Sequence, residues 1–231
     1  MSSLIQLLEL PAGEAFEQWL STPGEWVEEP NARRGGISGV QRVRTGDGRL
    51  LYRKQQVDHC YRDWRHPLGE PTVLRERRAL QAFAALGIRV PRLLYCGTRR
   101  QAGQLQALLV TEALNGFDSL EAIYAHGMQH GWDAALRARI FQQLGQLLAR
   151  LHAARWQHGC LYPKHIFLRV SPHGRVELAL LDLEKSRRRL TSRRAARHDL
   201  RQLRRHAWWG EAEWRSLASG YRQACGHAIE E

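Results

Sequence analysis

His158-Gly159-Cys160-Leu161-Tyr162-Pro163-Lys164-His165-Ile166-Phe167-Leu168, with Leu180-Leu181-Asp182-Leu183-Glu184 after it, is the stretch on which the reading of the chain turns. Trp156 to Lys164 is polar and irregular, broken by a glycine and a proline, and so predicts a loop. Ile166–Val170 and Val176–Leu181 then read as two short strands around the turn Pro172-His173-Gly174. Asp182 follows the second strand directly. A loop dense in titratable groups, set between apolar segments, is a natural carrier of chemistry.

Working outward, Asp133 to Ala154 is the clearest helix, with Leu136, Ile140, Leu144, Leu147, Leu148 and Leu151 on one face. Helices are also predicted over Ser192–His206 and Glu211–Cys225. The first third is strand-rich. Gly36-Ile37-Ser38-Gly39-Val40 runs into Gln41–Arg44, Thr45-Gly46-Asp47-Gly48 turns the chain, and Leu50–Val57 returns as the second arm of a hairpin. A helix from about Glu70 to Leu86 carries Val73, Leu74, Leu80, Phe83, Ala84 and Leu86 and stops at Gly87. Arg92–Cys96 and Leu105–Thr111 read as two more strands, and Glu112 to Asn115 as a connector. The expected class is α+β in two lobes: a small β-rich N-lobe with one main helix and a mostly helical C-lobe. The expected domains are 1–32 as an N-terminal extension, 33–112 as the N-lobe and 113–231 as the C-lobe.

The chain has 231 residues, 43% hydrophobic and 25% charged, which suits a globular protein with a real core. No apolar run approaches the roughly 20 residues of a membrane span. Met1 to Leu10 lacks the basic and apolar regions of a secretory signal, so a cytoplasmic placement is expected. Thirty-five basic against 23 acidic residues give +12, which calls for anionic partners: a nucleotide, a nucleic acid, a phosphorylated glycan or anionic lipid headgroups. Only Lys54, Lys164 and Lys185 are lysine; the other basic residues are arginine. A compact ammonium and a planar guanidinium are not interchangeable in a tight site, so these three positions draw notice. Cys60, Cys96, Cys160 and Cys225 form no Cys-x-x-Cys pair, which fits neither a zinc framework nor a dense disulfide scaffold.

In the order of these motifs, over about residues 33 to 206, the chain resembles the protein-kinase-like fold. More narrowly it resembles the bacterial lipopolysaccharide-core kinase family, with its Kdo and heptose kinases and InaA-type proteins. The resemblance implies ATP and Mg2+ as cofactors and a role for each matched position. Gly35, Gly36 and Gly39 fall at the glycine-rich turn whose N–H groups approach phosphates. Lys54 stands where a lysine neutralises the α- and β-phosphates and pairs with a helix carboxylate, Glu76 first and Glu70 second. Glu112-Ala113-Leu114 falls where the connector backbone reads the adenine edge, with Thr111 facing the base pocket. Asp182 takes the place of the magnesium-binding aspartate, and His165 that of a metal-binding asparagine. Lys164 would counter charge on the transferring phosphoryl group. Asp199, in His198-Asp199-Leu200, resembles an aspartate that braces the catalytic loop. Lys185 is assigned no role.

One departure stands out. Cys160 occupies the place of the catalytic-loop aspartate, and a neutral thiol is a poor substitute for a carboxylate acceptor. Three readings follow: transfer persists because it depends mainly on positioning and charge stabilisation; the chain binds nucleotide without transferring phosphate; or Cys160 is an activated thiolate. Ten basic residues between Lys185 and Arg205, opposed only by Asp199, suit an acidic sugar or an anionic leaflet, or else form a solvated helix face. Only 49 residues follow Asp182, which leaves little room for peptide docking and favours a small-molecule or glycan acceptor. The leading expectation is therefore an ATP-dependent kinase of a heptose or Kdo sugar of the lipopolysaccharide core, at the cytoplasmic face of the inner membrane. The alternative is a pseudokinase-type nucleotide-binding or regulatory module. A nucleic-acid binder stands last, because the eight tryptophans are scattered.

Overall fold

The computed structural model describes residues 3–33 and 35–225. The chain divides into two compact units, residues 1–81 with 91–114 and residues 82–90 with 115–231.

The N-terminal unit opens with α1 (Leu4–Leu8) and α2 (Ala12–Ser21), followed by β1 (Glu25–Arg33), β2 (Gly36–Arg44) and β3 (Leu50–Val57). A small hairpin of β4 (Cys60–Asp63) and β5 (His66–Pro71) leads into α3 (Thr72–Ala85), whose last turn counts with the second unit. β6 (Leu93–Gln101) and β7 (Gln104–Glu112) complete a five-stranded sheet of order β1-β2-β3-β7-β6, antiparallel throughout. The β2–β3 register, from Ile37 opposite Val57 to Arg44 opposite Leu50, is the hairpin the alternation predicts.

Residues 1–32, expected as an extension, carry α1, α2 and most of β1 and belong to this unit. Leu4, Leu7, Phe16 and Trp19 are buried with Val43, Leu51, Leu108 and Val110 of the sheet. Arg53 of β3 is buried as well, and its guanidinium donates to the carbonyls of Trp19 and Thr22 and to Gln41. A charge inside a core is tolerable only when its donors are met, so this arginine fixes the end of α2 to the sheet. Burial pushes it down to about 10.

The C-terminal unit holds β8 (Asp118–Ser119), α4 (Leu120–Ala125), α5 (Ala134–Ala153), β9 (Trp156–Gln157), β10 (Ile166–Val170), β11 (Val176–Leu180), β12 (Arg187–Arg188), α6 (Ser192–His206) and α7 (Glu211–Cys225). Asp133 caps α5 by accepting from Leu136 N–H at 2.6 Å, and the predicted stripe is buried from Ile140 to Leu151, with Leu136 half-buried. β10 and β11 form an antiparallel pair from Ile166↔Leu180 to Val170↔Val176, with β8 on the other side of β10.

α5 and α7 pack backbone to backbone through glycine. A Cβ on Gly220 would lie 1.9 Å from the carbonyl oxygen of Gln142, and one on Gly145 would lie 2.1 Å from that of Leu217. Alanine in a helix gains about 1 kcal/mol over glycine, but forcing these helices apart costs about 1–3 kcal/mol or more. Gly220→Ala is therefore expected to lower stability, read as a lower urea midpoint. An unchanged or higher midpoint would show that the helices do not meet this closely.

Candidate active site

The C-terminal cluster is built on the inner face of α6. Asp199 is fully buried there. Its carboxylate accepts from His158 N–H at 2.6 Å and Gly159 N–H at 3.0 Å, with His152 Nε2 at 3.3 Å and His198 Nδ1 at 3.2 Å. One turn on, Gln202 accepts from Leu161 N–H at 2.8 Å and donates to the Tyr162 hydroxyl. Two residues of one helix thus hold the backbone of the loop that carries Cys160. His158 is buried between them, and burial pushes its imidazole down to about 4, so it is neutral and its Nδ1 accepts from Cys160 N–H.

His165 follows in a short turn spanning Pro163–His165. Its Nδ1 lies 2.7 Å from the Cys160 carbonyl oxygen. A carbonyl only accepts, so Nδ1 carries a proton, and Nε2 faces Asp182 Oδ2, 3.4 Å away. A cation seated between an imidazole nitrogen and a carboxylate would satisfy both. Ligand atoms of Cys160, His165 and Asp182 all lie within 4.8 Å of one another. Asp182 adopts φ 58, a left-handed conformation uncommon for non-glycine residues but one that aspartate takes more readily than most, and one shared here with Asp58, Ala102 and Arg155. The imidazole held by a carbonyl on its far nitrogen, with a carboxylate beside it, fits a divalent metal ion.

Cys160 is almost fully buried, and burial first, then the neighbouring Asp182 charge, pushes its thiol up. Lys185, through a side-chain hydrogen bond, and Lys164, through its charge, act the other way without reversing the shift. That direction favours the thiol and lends no support to an activated thiolate. Lys164 itself is exposed on the turn.

In the N-terminal unit, Lys54 Nζ lies 2.9 Å from Glu76 Oε2, and both side chains are largely buried. Glu76 is the expected partner. Glu70 instead engages Arg78 and Tyr61. Gly36 and Gly39 lie within β2, where local packing accounts for both. A Cβ on Gly36 would lie 2.3 Å from the carbonyl carbon of Asp58, and one on Gly39 would lie 2.8 Å from the Trp26 ring. Glu112 ends β7, where its carboxylate takes a two-pronged bond from Arg92 at 2.7 and 2.9 Å and its N–H donates to the Arg92 carbonyl. Leu114 is the last residue of this unit, and no described residue accepts a hydrogen bond from its N–H.

The sequence reading noted Lys185 for its rarity as a lysine but assigned it no role. The backbone of Lys185 crosses so close to Gly159 that a Cβ there would lie 2.5 Å from its carbonyl oxygen, and Ser186 Oγ donates to the His158 carbonyl. Gln202 was missed, since a glutamine among arginines carries no pattern.

An antiparallel sheet with a buried lysine–glutamate pair, and a helical unit with a braced loop and a histidine–aspartate pair, define a kinase-like fold. The solved structure of WaaP in complex with acyl carrier protein has this fold: TM-score 0.68 at 20% identity, covering 90% of this chain and 82% of that one. The chain belongs to the lipopolysaccharide kinase (Kdo/WaaP) family, which matches residues 17–221. Protein InaA of Escherichia coli strain K12 is similar to it, 36% identical over 209 residues that make up 90% of this chain and 95% of InaA.

Proposed function

We propose that the protein is an ATP-dependent phosphotransferase acting on a heptose or Kdo sugar of the lipopolysaccharide core, at the cytoplasmic face of the inner membrane. The observation that carries this reading is the His165–Asp182 pair, 3.4 Å apart beside the braced loop, in a member of this kinase family. Lys54, held by Glu76, would neutralise the α- and β-phosphates of ATP. Gly36 and Gly39 would bring backbone close to the phosphates, and the backbone of Glu112 to Leu114 would take the adenine edge. His165 and Asp182 would hold magnesium, which when bound supplies charge on the β- and γ-phosphates. Lys164 would offset charge growing on the transferred group. Among the described residues no helix is long and apolar enough to cross a membrane.

The test is transfer of labelled γ-phosphate from Mg-ATP to dephosphorylated lipopolysaccharide core. Wild type is expected to label the glycan. Asp182→Ala should lose on the order of a thousandfold in rate, and Lys54→Ala should weaken ATP binding. Folded wild-type protein that labels no glycan would sink the kinase reading. The second reading, a nucleotide-binding regulatory module, draws on the protonated Cys160 thiol, which gives the acceptor hydroxyl no base. It predicts nucleotide binding through Lys54 with no transfer to any acceptor.

A further inference from the structure

α6 presents a second, unassigned face. Arg193, Arg194, Arg197, Arg201, Arg204 and Arg205 are all exposed. At about 100° per residue they fall within about 120° of the helix circumference, along about 18 Å of its length. Ala195, Asp199 and Leu203, the buried residues of α6, lie on the opposite side. Asp199 is the only carboxylate of this helix, and it is turned inward to the loop. Just outside the helix, Glu211 reaches Arg204 at 3.3 Å, an exposed pair worth little.

The positive charge continues past the helix start. Arg187 and Arg188 of β12 are exposed, and Arg189 is pushed down by burial and then by the nearby charges of Arg187 and Arg194. Like charges gathered this way work against the fold unless an anion relieves them. At the two ends the chain exposes large apolar side chains, Leu190 at 77% and Trp208 at 60%.

These features select one occupant. A helix face is convex, so it suits a broad surface better than a small sugar. Tryptophan beside basic side chains suits the headgroup layer of a membrane, where an amphipathic ring and cations are both satisfied. We propose that the outer face of α6 docks on an anionic phospholipid bilayer, with Leu190 and Trp208 entering the headgroup layer at its ends. The helix whose inner face braces the Cys160 loop through Asp199 and Gln202 would then also set the orientation of that loop to the membrane. This docking needs no nucleotide and no transfer, so it stands or falls separately from the kinase reading.

The experiment is co-sedimentation of the full chain with mixed phosphatidylcholine–phosphatidylglycerol vesicles, against pure phosphatidylcholine vesicles and a short DNA duplex. Wild type is expected to sediment with the mixed vesicles, to ignore the neutral ones, and to dissociate as salt rises. Each arginine near an anionic surface contributes about a fivefold gain, so Arg197→Gln with Arg201→Gln should weaken binding about thirtyfold. Both side chains are exposed and stand among like charges, so this variant should melt at or above the wild-type midpoint. Arg197→Lys with Arg201→Lys keeps the charge and should bind as wild type does. Trp208→Ala should weaken binding to the mixed vesicles as well. Equal sedimentation with neutral vesicles, or undiminished binding by the double glutamine variant, would overturn the proposal. Tighter binding to the DNA duplex than to the mixed vesicles would overturn it too, and would assign the face to a polynucleotide.

Discussion

Asp199→Ala is expected to lower the unfolding free energy by about 3–5 kcal/mol, the usual cost of breaking a buried, hydrogen-bonded charge network. Asp199 has no exposure to water, and it answers the N–H groups of His158 and Gly159 together with two histidine rings. Alanine would leave those donors buried and unanswered. Nothing else described reaches the N–H groups of His158 and Gly159, so the loop carrying Cys160 should loosen before the rest of the unit. Denaturant titration checks the loss, and hydrogen exchange at His158 and Gly159 checks where it begins. A loss below about 1 kcal/mol would show that the brace is not needed.

The same network gives stability a pH dependence with a definite sign. Burial pushes the Asp199 carboxyl up, but hydrogen bonds and charge from His152, His198 and His158 hold it well below the usual carboxylate range. Its contribution is therefore full above the unfolded value of about 4 and fades only in stronger acid. His158 acts earlier. Burial holds it near 4, against an ordinary value of 6.5, so on acidification the unfolded chain binds the proton first. Stability should fall by roughly 3 kcal/mol as pH drops from 6.5 to 4. His158→Gln should flatten that slope, and a slope unchanged in the variant would move its origin to another group.

Much of this was legible in the sequence where a period or a cap wrote it there. α5, α6 and α7 run within a residue of their predicted bounds, because each carries a sustained amphipathic pattern or a clear cap such as Asp133 or Thr191. α1 spans five residues, too few to show a period, and α2 starts after Pro11 with no side-chain cap. The helix expected from Glu70 begins instead at Thr72, since Glu70 and Pro71 end β5 and a residue before proline disfavours the helical region. Among the site residues, the Lys54–Glu76 pair was what the family resemblance implied, and the two side chains meet at 2.9 Å. Lys185 was assigned no role, because it reaches Cys160 only through the crossing of its segment over Gly159. Gly36 and Gly39 show the converse: glycines that suggest a phosphate turn are also required where β2 meets Asp58 and Trp26.

Cys160→Asp is expected to raise phosphotransfer to the core glycan by about a hundredfold or more, the range a positioned general base supplies. The surroundings can take the carboxylate. Lys185 and Lys164, which already act on the Cys160 thiol, would offset part of its burial. Asp199 and Gln202 hold the backbone on either side of position 160, so the new group should stand where the sulfur does now. The cost is a second negative charge beside Asp182, so the variant should also need magnesium more strongly than wild type does. Its rate should be level near neutral pH, because a carboxylate is already ionised there. The wild-type rate should instead climb toward alkaline pH if the thiolate is its base, since the thiol is pushed above its ordinary value. A variant that binds ATP through Lys54 yet transfers no more phosphate than wild type would mean that Cys160 is not what limits the reaction. The family fold would then serve binding rather than transfer in this chain.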